Sequence, residues 1–116
     1  MGLEVMKDFP DFMKNNKNRI DATRQNTEDV AGYFFEGADG SQMAFWTCYA
    51  DKTSKVHAHE FDEYVVCVYG KYTVIIGGKE TVLNPGDEFF IQKGTAHGGK
   101  CVAGTRTIHA FGGKRV

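Results

Sequence analysis

The sequence predicts an all-β fold, a single small antiparallel barrel or jelly roll, on three observations. From Val30 onward the chain is a succession of short β-branched and aromatic runs. Clusters of Gly, Asn, Pro and Asp with hairpin chemistry separate them. The length of 116 residues suits one domain with one hydrophobic core and leaves no room for a second.

In chain order, residues 1–29 read as an N-terminal arm. It holds one short helix candidate beginning at Pro10 ("PDFMKN") and then polar loop, with Lys14, Lys17, Arg19 and Arg24 set among asparagines. Such an arm is too short for a helix-turn-helix. The barrel is expected over residues 30–116. Its strands are "VAGYFFE" (30–36), "QMAFWTCYA" (42–50), "EYVVCVY" (63–69), "KYTVII" (71–76), "ETVL" (80–83), "EFFIQ" (88–92) and "TRTIHAFG" (105–112). The turns "GADGS" (37–41), "GGK" (77–79) and "NPGD" (84–87) join neighbouring runs as hairpins. Residues 42–49 are apolar on both parities, Ala44, Trp46 and Cys48 on one face and Met43, Phe45 and Tyr49 on the other. One face can line the barrel; the other needs a cover, either the arm or a second copy of the chain in a homodimer. The homodimer is the expectation carried forward.

Fourteen basic against fifteen acidic side chains leave a formal net charge of -1, which gives no general field toward nucleic acid or anionic membrane. No stretch is long and apolar enough to span a bilayer, and the N-terminus, with Glu4 and Asp8, lacks the apolar core of an export signal. Gly2 is not a myristoylation site, because Met6 stands where that motif wants Ser or Thr. A soluble, cytoplasmic chain follows as the expectation. Cys48, Cys67 and Cys101 are odd in number and widely spaced, which suggests reduced thiols.

The chemistry concentrates in "KVHAHEFDEYVVCVYG", residues 55–70. On an extended chain His57 and His59 point the same way, about 6 to 7 Å apart, so both rings can converge on one ion. A three-residue turn then brings Glu63 to the next strand, and His97 follows behind a glycine turn in "KGTAHGG". Imidazole and carboxylate are costly to desolvate unless they share a partner, and three imidazoles with one carboxylate suit a divalent transition metal.

These residues resemble the cupin superfamily, in the form of its small single-domain microbial members. The family's first motif places a glycine, His-x-His, Glu and Gly in register with Asp51, His57, His59, Glu63 and Gly70, Asp51 being the departure. Its second motif falls on Gly86, Gly94 and His97, with Gln92 in place of a proline and Cys101 in place of an asparagine. The resemblance spans roughly residues 42–111 and implies the double-stranded β-helix barrel. It also implies one divalent ion (Mn, Fe, Ni, Cu or Zn) on His57, His59, Glu63 and His97, with coordination positions open to a small molecule.

His109, on the last strand, is the candidate catalytic acid or base, since imidazole is the side chain suited to proton transfer near neutral pH. Cys67 and Cys101 are expected to be buried structural cysteines, and Trp46, Tyr33 and Phe35 plain core; the orientation of Arg106 is open. The resemblance implies a metal-dependent enzyme on a small organic molecule, either a dioxygenase or a sugar or uronate isomerase or lyase. The alternatives are a small-molecule-binding or sensor module and a non-enzymatic structural barrel. No arginine or second carboxylate is placed in the pocket by the sequence.

Overall fold

Alternation and β-branched content carry the chain from Val30 into extended structure, as the computed structural model shows for the residues it describes, 5–21, 23 and 29–116. The strands are β1 (Val30–Glu36), β2 (Gln42–Cys48), β3 (Lys52–Thr53), β4 (Glu63–Tyr69), β5 (Tyr72–Ile76), β6 (Lys79–Leu83), β7 (Glu88–Ile91), β8 (Gly98–Cys101) and β9 (Arg106–Phe111). All seven expected strands form. β3 and β8 were not anticipated, being respectively two residues long and a Gly-rich "GGKC" run with little β propensity of its own.

Every pairing between strands is antiparallel. One sheet runs β1-β2-β9-β4-β7 and the other β3-β8-β5-β6, so the last strand pairs in the middle of the first sheet. The hairpin between β5 and β6 turns on Gly77 and Gly78, with φ of 57° and 81°, the left-handed geometry that a two-residue loop demands. Val65, Cys67 and Ile91 of the first sheet meet Val74 and Leu83 of the second in one fully buried cluster. Burying such side chains stabilises the domain by about 2 kcal/mol each, and this cluster closes one end of the space between the sheets. The other end stays open as a cavity.

The short helix expected near Pro10 takes the 3-10 form, Asp11–Met13 with Pro10 at its N-cap, and a second 3-10 turn, Asn16–Asn18, follows, capped by the Asn15 side chain accepting from the Lys17 N–H. An asparagine-rich stretch favours such local side-chain bonds over a propagating helix. The arm then runs beside β1, where the Ile20 N–H donates to the Gly32 carbonyl, and Ile20 drops into a second core cluster with Ala44 and Phe111. Arg24, Gly2 and Glu4 lie outside the described residues. No helix among the described residues is long and apolar enough to cross a membrane.

The two faces of β2 divide as expected. Ala44 is buried in the core, and Trp46 and Cys48 face the cavity. On the outer face the arm covers Phe45, with the Phe9 ring edge-on at 5.7 Å, whereas Met43 and its β1 neighbour Phe35 remain exposed. Tyr33 and Phe35 are therefore not core. Tyr33 lies half-buried under the Arg19 guanidinium.

The expectation of three reduced thiols is overturned by a disulfide between Cys48 and Cys101. The two cysteines end β2 and β8, strands of opposite sheets that meet beside the cavity, and a sequence separation of 53 hides that meeting. Cys67 alone is a thiol, fully buried in the core as expected.

Candidate metal centre

Residues 54–62 are extended loop, so His57 and His59 lie outside the named strands. The parity argument survives because backbone bonds hold the loop straight. His57 and His97 form an isolated antiparallel bridge in which each N–H donates to the other's carbonyl, at 2.9 and 2.8 Å. Two residues on, the Gly94 N–H donates to the His59 carbonyl at 2.8 Å, with Gly94 at φ 81° as only a glycine adopts easily. One loop thus delivers two imidazoles and the loop before β8 delivers the third.

The ligand atoms of His57, His59 and His97 lie within 4.8 Å of one another. Nδ1 of His57 is 2.7 Å from the Lys55 carbonyl, and Nδ1 of His97 is 2.8 Å from that of Thr95. A carbonyl only accepts, so each Nδ1 carries the proton and each Nε2 is left as a lone-pair donor. Glu63, at the start of β4, points Oε1 at the same space, 3.3 Å from His59 Nε2 and 3.4 Å from His97 Nε2. Its other oxygen accepts from His109 Nδ1 at 2.8 Å, and His109 Nε2 lies 3.0 Å from the Thr107 hydroxyl. Both nitrogens of His109 are therefore engaged by protein groups.

The decisive feature is what these atoms lack. His59 Nε2, His97 Nε2 and Glu63 Oε1 are all buried without a hydrogen-bond partner. Each such group costs about 1–3 kcal/mol, and three converging on one point is a cost that a shared cation removes. Two nitrogens, a third imidazole within reach and one anionic oxygen fit a divalent transition metal.

The electrostatics agree. Burial pushes the Glu63 carboxyl up, but the hydrogen bond from His109 and the His59 and His97 imidazoles facing its other oxygen outweigh it and hold the group well below the usual carboxylate range. His97 is subject to the same burial, which pushes it down, yet the Glu63 carboxylate and the Thr95 carbonyl raise it above 6.5. His57 goes the other way, lowered mainly by burial.

Around this cluster lies a small cavity of about 90 Å³ that opens to solvent. Trp46 and Cys101, expected in the core, line it instead, as do Tyr72, Thr107, Phe111 and Arg115. Tyr72 reaches in because Gly99 opposite has no side chain; a Cβ there would collide with the phenol oxygen. Arg106 turns outward, its guanidinium 5.0 Å above the Phe9 ring. No sequence signal points to Arg115, since it lies beyond the last strand in what reads as a solvated tail.

The family model described as a cupin domain matches residues 45–111, more than half of the chain. The chain belongs to the cupin family. Among solved structures, KdgF from Halomonas sp. superposes with a TM-score of 0.66 at 21% identity, over 72% of this chain and 77% of that one. An RmlC-like cupin from Shewanella frigidimarina gives 0.65 at 20% identity, over 81% and 92%. The polyketide cyclase RemF from Streptomyces resistomycificus gives 0.64 at 18%, over 74% and 66%. A search of curated proteins finds no match. At these identities the structural likeness establishes the cupin fold.

Two outcomes follow from the cluster. Wild-type protein should take up zinc at one ion per chain, and His57→Ala combined with His59→Ala should lose it; calorimetric titration of both proteins checks this, and full retention by the variant would place the ion elsewhere. A hundredfold excess of free zinc over its dissociation constant should stabilise the wild type by about 2.7 kcal/mol.

Protons compete with the ion for the same lone pairs, and the raised value of His97 means that competition begins above 6.5 and deepens as the pH falls. The zinc-induced rise in Tm should therefore be larger at about pH 8 than at about pH 5.5. Equal rises at both would argue against imidazole ligands.

Proposed function

We propose that this cupin is a metal-dependent enzyme acting on a small organic molecule. The observation that carries the reading is the convergence of His59 Nε2, His97 Nε2 and Glu63 Oε1, buried and unpartnered, at the floor of an open cavity. One divalent transition ion, Mn, Fe, Ni, Cu or Zn, would be held by His57, His59 and His97 with Glu63 as the fourth ligand. When bound it supplies Lewis-acid polarisation of a substrate oxygen. The neighbour named as a polyketide cyclase is in keeping with enzymatic use of such a barrel.

His109 is the proposed proton-handling residue. With Nδ1 against Glu63 and Nε2 against Thr107, a cavity-lining hydroxyl, it joins the carboxylate to the cavity wall. It can fix the carboxylate's orientation and exchange a proton with the cavity beside the Thr107 hydroxyl. Proton exchange serves isomerisation or elimination on a hydroxylated or carbonyl substrate more directly than oxygen insertion, so an isomerase or lyase leads and a dioxygenase is the competing outcome. A binding or sensor module would use the same ion without turnover.

Turnover of sugars, uronates or small acids by metal-loaded protein, without oxygen consumption, is the expected result. Oxygen uptake with thiols, diketones or phenols would assign a dioxygenase, and ligand-induced thermal shifts without turnover a binding module. His109→Gln should lower turnover by about 10²-fold or more while metal content stays unchanged; unaltered turnover would leave His109 as ordinary wall.

The exposed Met43 and Phe35 beside the covered Phe45 support a homodimer through the outer face of the β1–β2 hairpin. Sedimentation at micromolar concentration should show a dimer, and Met43→Glu should shift it to monomer; a clean wild-type monomer would make the arm the whole of the cover. We place the protein in the cytoplasm, where the Cys48–Cys101 bond would be open to reduction.

A further inference from the structure

Strand alternation turns Tyr72, at the start of β5, to the same face as Val74, into the space between the sheets. Val74 belongs to the buried core cluster, and Tyr72 packs against that cluster while lining the cavity, so it stands where the core gives way to open space. Its strand partner on β8 is Cys101, but the ring leans along β8 toward Gly99, where a Cβ would collide with the phenol oxygen. Gly99 is two residues past His97. The ring also meets His109 edge-on, at 5.6 Å between centroids. The phenol thus touches both the His109 ring and the strand that follows His97.

Other hydroxyls of the cavity wall are already engaged within the protein. Ser54 Oγ accepts from the Gly99 N–H at 2.8 Å, the Thr105 hydroxyl accepts from the Lys71 N–H at 3.1 Å, and that of Thr107 lies 3.0 Å from His109 Nε2. The Tyr72 hydroxyl makes no hydrogen bond to any described residue. Burial and the Glu63 carboxylate both push its pKa up, so it stays protonated at ordinary pH and serves as a donor. A half-buried phenol without an acceptor forgoes the bond that buried tyrosines usually make, and an acceptor entering the cavity restores it. Since Tyr72 and all four candidate metal ligands line this one cavity of about 90 Å³, a molecule of a few heavy atoms there meets both.

We infer that Tyr72 is the donor by which this cavity recognises an oxygen of its ligand, and that the ligand is a small hydroxy-carbonyl compound with two oxygens on neighbouring carbons. The inference rests on the reading of His57, His59, Glu63 and His97 as a metal site and adds the substrate class to it. One oxygen takes the metal end and the other accepts from the Tyr72 O–H, while the carbon frame lies against Trp46 and Phe111 of the same wall. His109 cannot fill this role, since Glu63 and Thr107 engage both of its nitrogens. A ligand held at two oxygens has one orientation, and an analogue lacking the second oxygen leaves the phenol unpaired, so Tyr72 sets specificity.

The test uses acetohydroxamate, a small zinc ligand with two neighbouring oxygens, as its probe. The control is 1-methylimidazole, which ligates zinc through its one free nitrogen and then has nothing left to accept a hydrogen bond. Both are titrated calorimetrically into zinc-loaded wild type and Tyr72→Phe, a variant that removes a single oxygen and keeps the ring packing. The variant should bind zinc and 1-methylimidazole as the wild type does, but acetohydroxamate about tenfold or more weakly, the effect of one charge-assisted hydrogen bond. Equal acetohydroxamate affinity in the two proteins, or a matching loss for both probes, would overturn the assignment of Tyr72. A zinc-loaded wild type that takes up no acetohydroxamate would overturn it as well. Failure of the wild type to bind zinc sinks the metal reading instead, and shows before either probe is added.

Discussion

Glu63 is a carboxylate with almost no access to water, and much of the molecule is arranged around keeping it charged. It opens β4 in the middle of the larger sheet, opposite Ile91 on one side and Phe111 on the other, where desolvation alone would neutralise it. The neighbouring imidazoles reverse that outcome: His109 hydrogen-bonds one oxygen from the neighbouring strand, and the edges of His59 and His97 face the other. The arrangement concentrates negative potential at one oxygen in a low-dielectric floor. That oxygen and the two imidazole edges are left unsatisfied together, so the strand that organises the sheet also creates the demand for a cation.

The loops answer this demand with backbone rather than side-chain order. His57 and His97 exchange both main-chain bonds, and Gly94 ties down His59. Each ring is then oriented from behind by a carbonyl on its Nδ1, two residues earlier in both cases. Repetition of the same local device at Lys55–His57 and Thr95–His97 makes the two rings near-equivalent in tautomer, though not in charge preference. His97 lies against Glu63 and holds its proton more tightly, whereas His57 is dominated by burial.

How much of this was legible follows from how local each signal is. His57, His59, Glu63 and His97 stood in the sequence at fixed spacings, and the seven longer strands carried their own β-branched residues; both survive any error about tertiary contacts. The clustering of these side chains was therefore readable although the loop around His57 and His59 is not a strand. Ile20 was not readable, since one isoleucine in a polar arm gives no period to follow. Nor was the short β8, whose strand state comes from its partners Lys52, Tyr72 and their neighbours rather than from "GGKC". The cysteines failed for the opposite reason: three of them allow three pairings, and nothing near Cys48 in sequence points to Cys101. Arg115 and the outward turn of Arg106 depend wholly on Gln42 and Phe9, contacts made across the fold.

The Cys48–Cys101 bond has a topological consequence. It closes a ring of chain spanning 53 positions, and His57, His59, Glu63 and His97 all lie inside that ring, whereas His109 and Arg115 lie outside it. A denatured but still cross-linked chain would keep the four donors at a high effective concentration relative to one another, and in the chain-entropy picture the closure removes about 4 kcal/mol of disorder from that state. The four candidate ligands are covalently pre-gathered. His109 and Arg115 must be brought to them by folding alone.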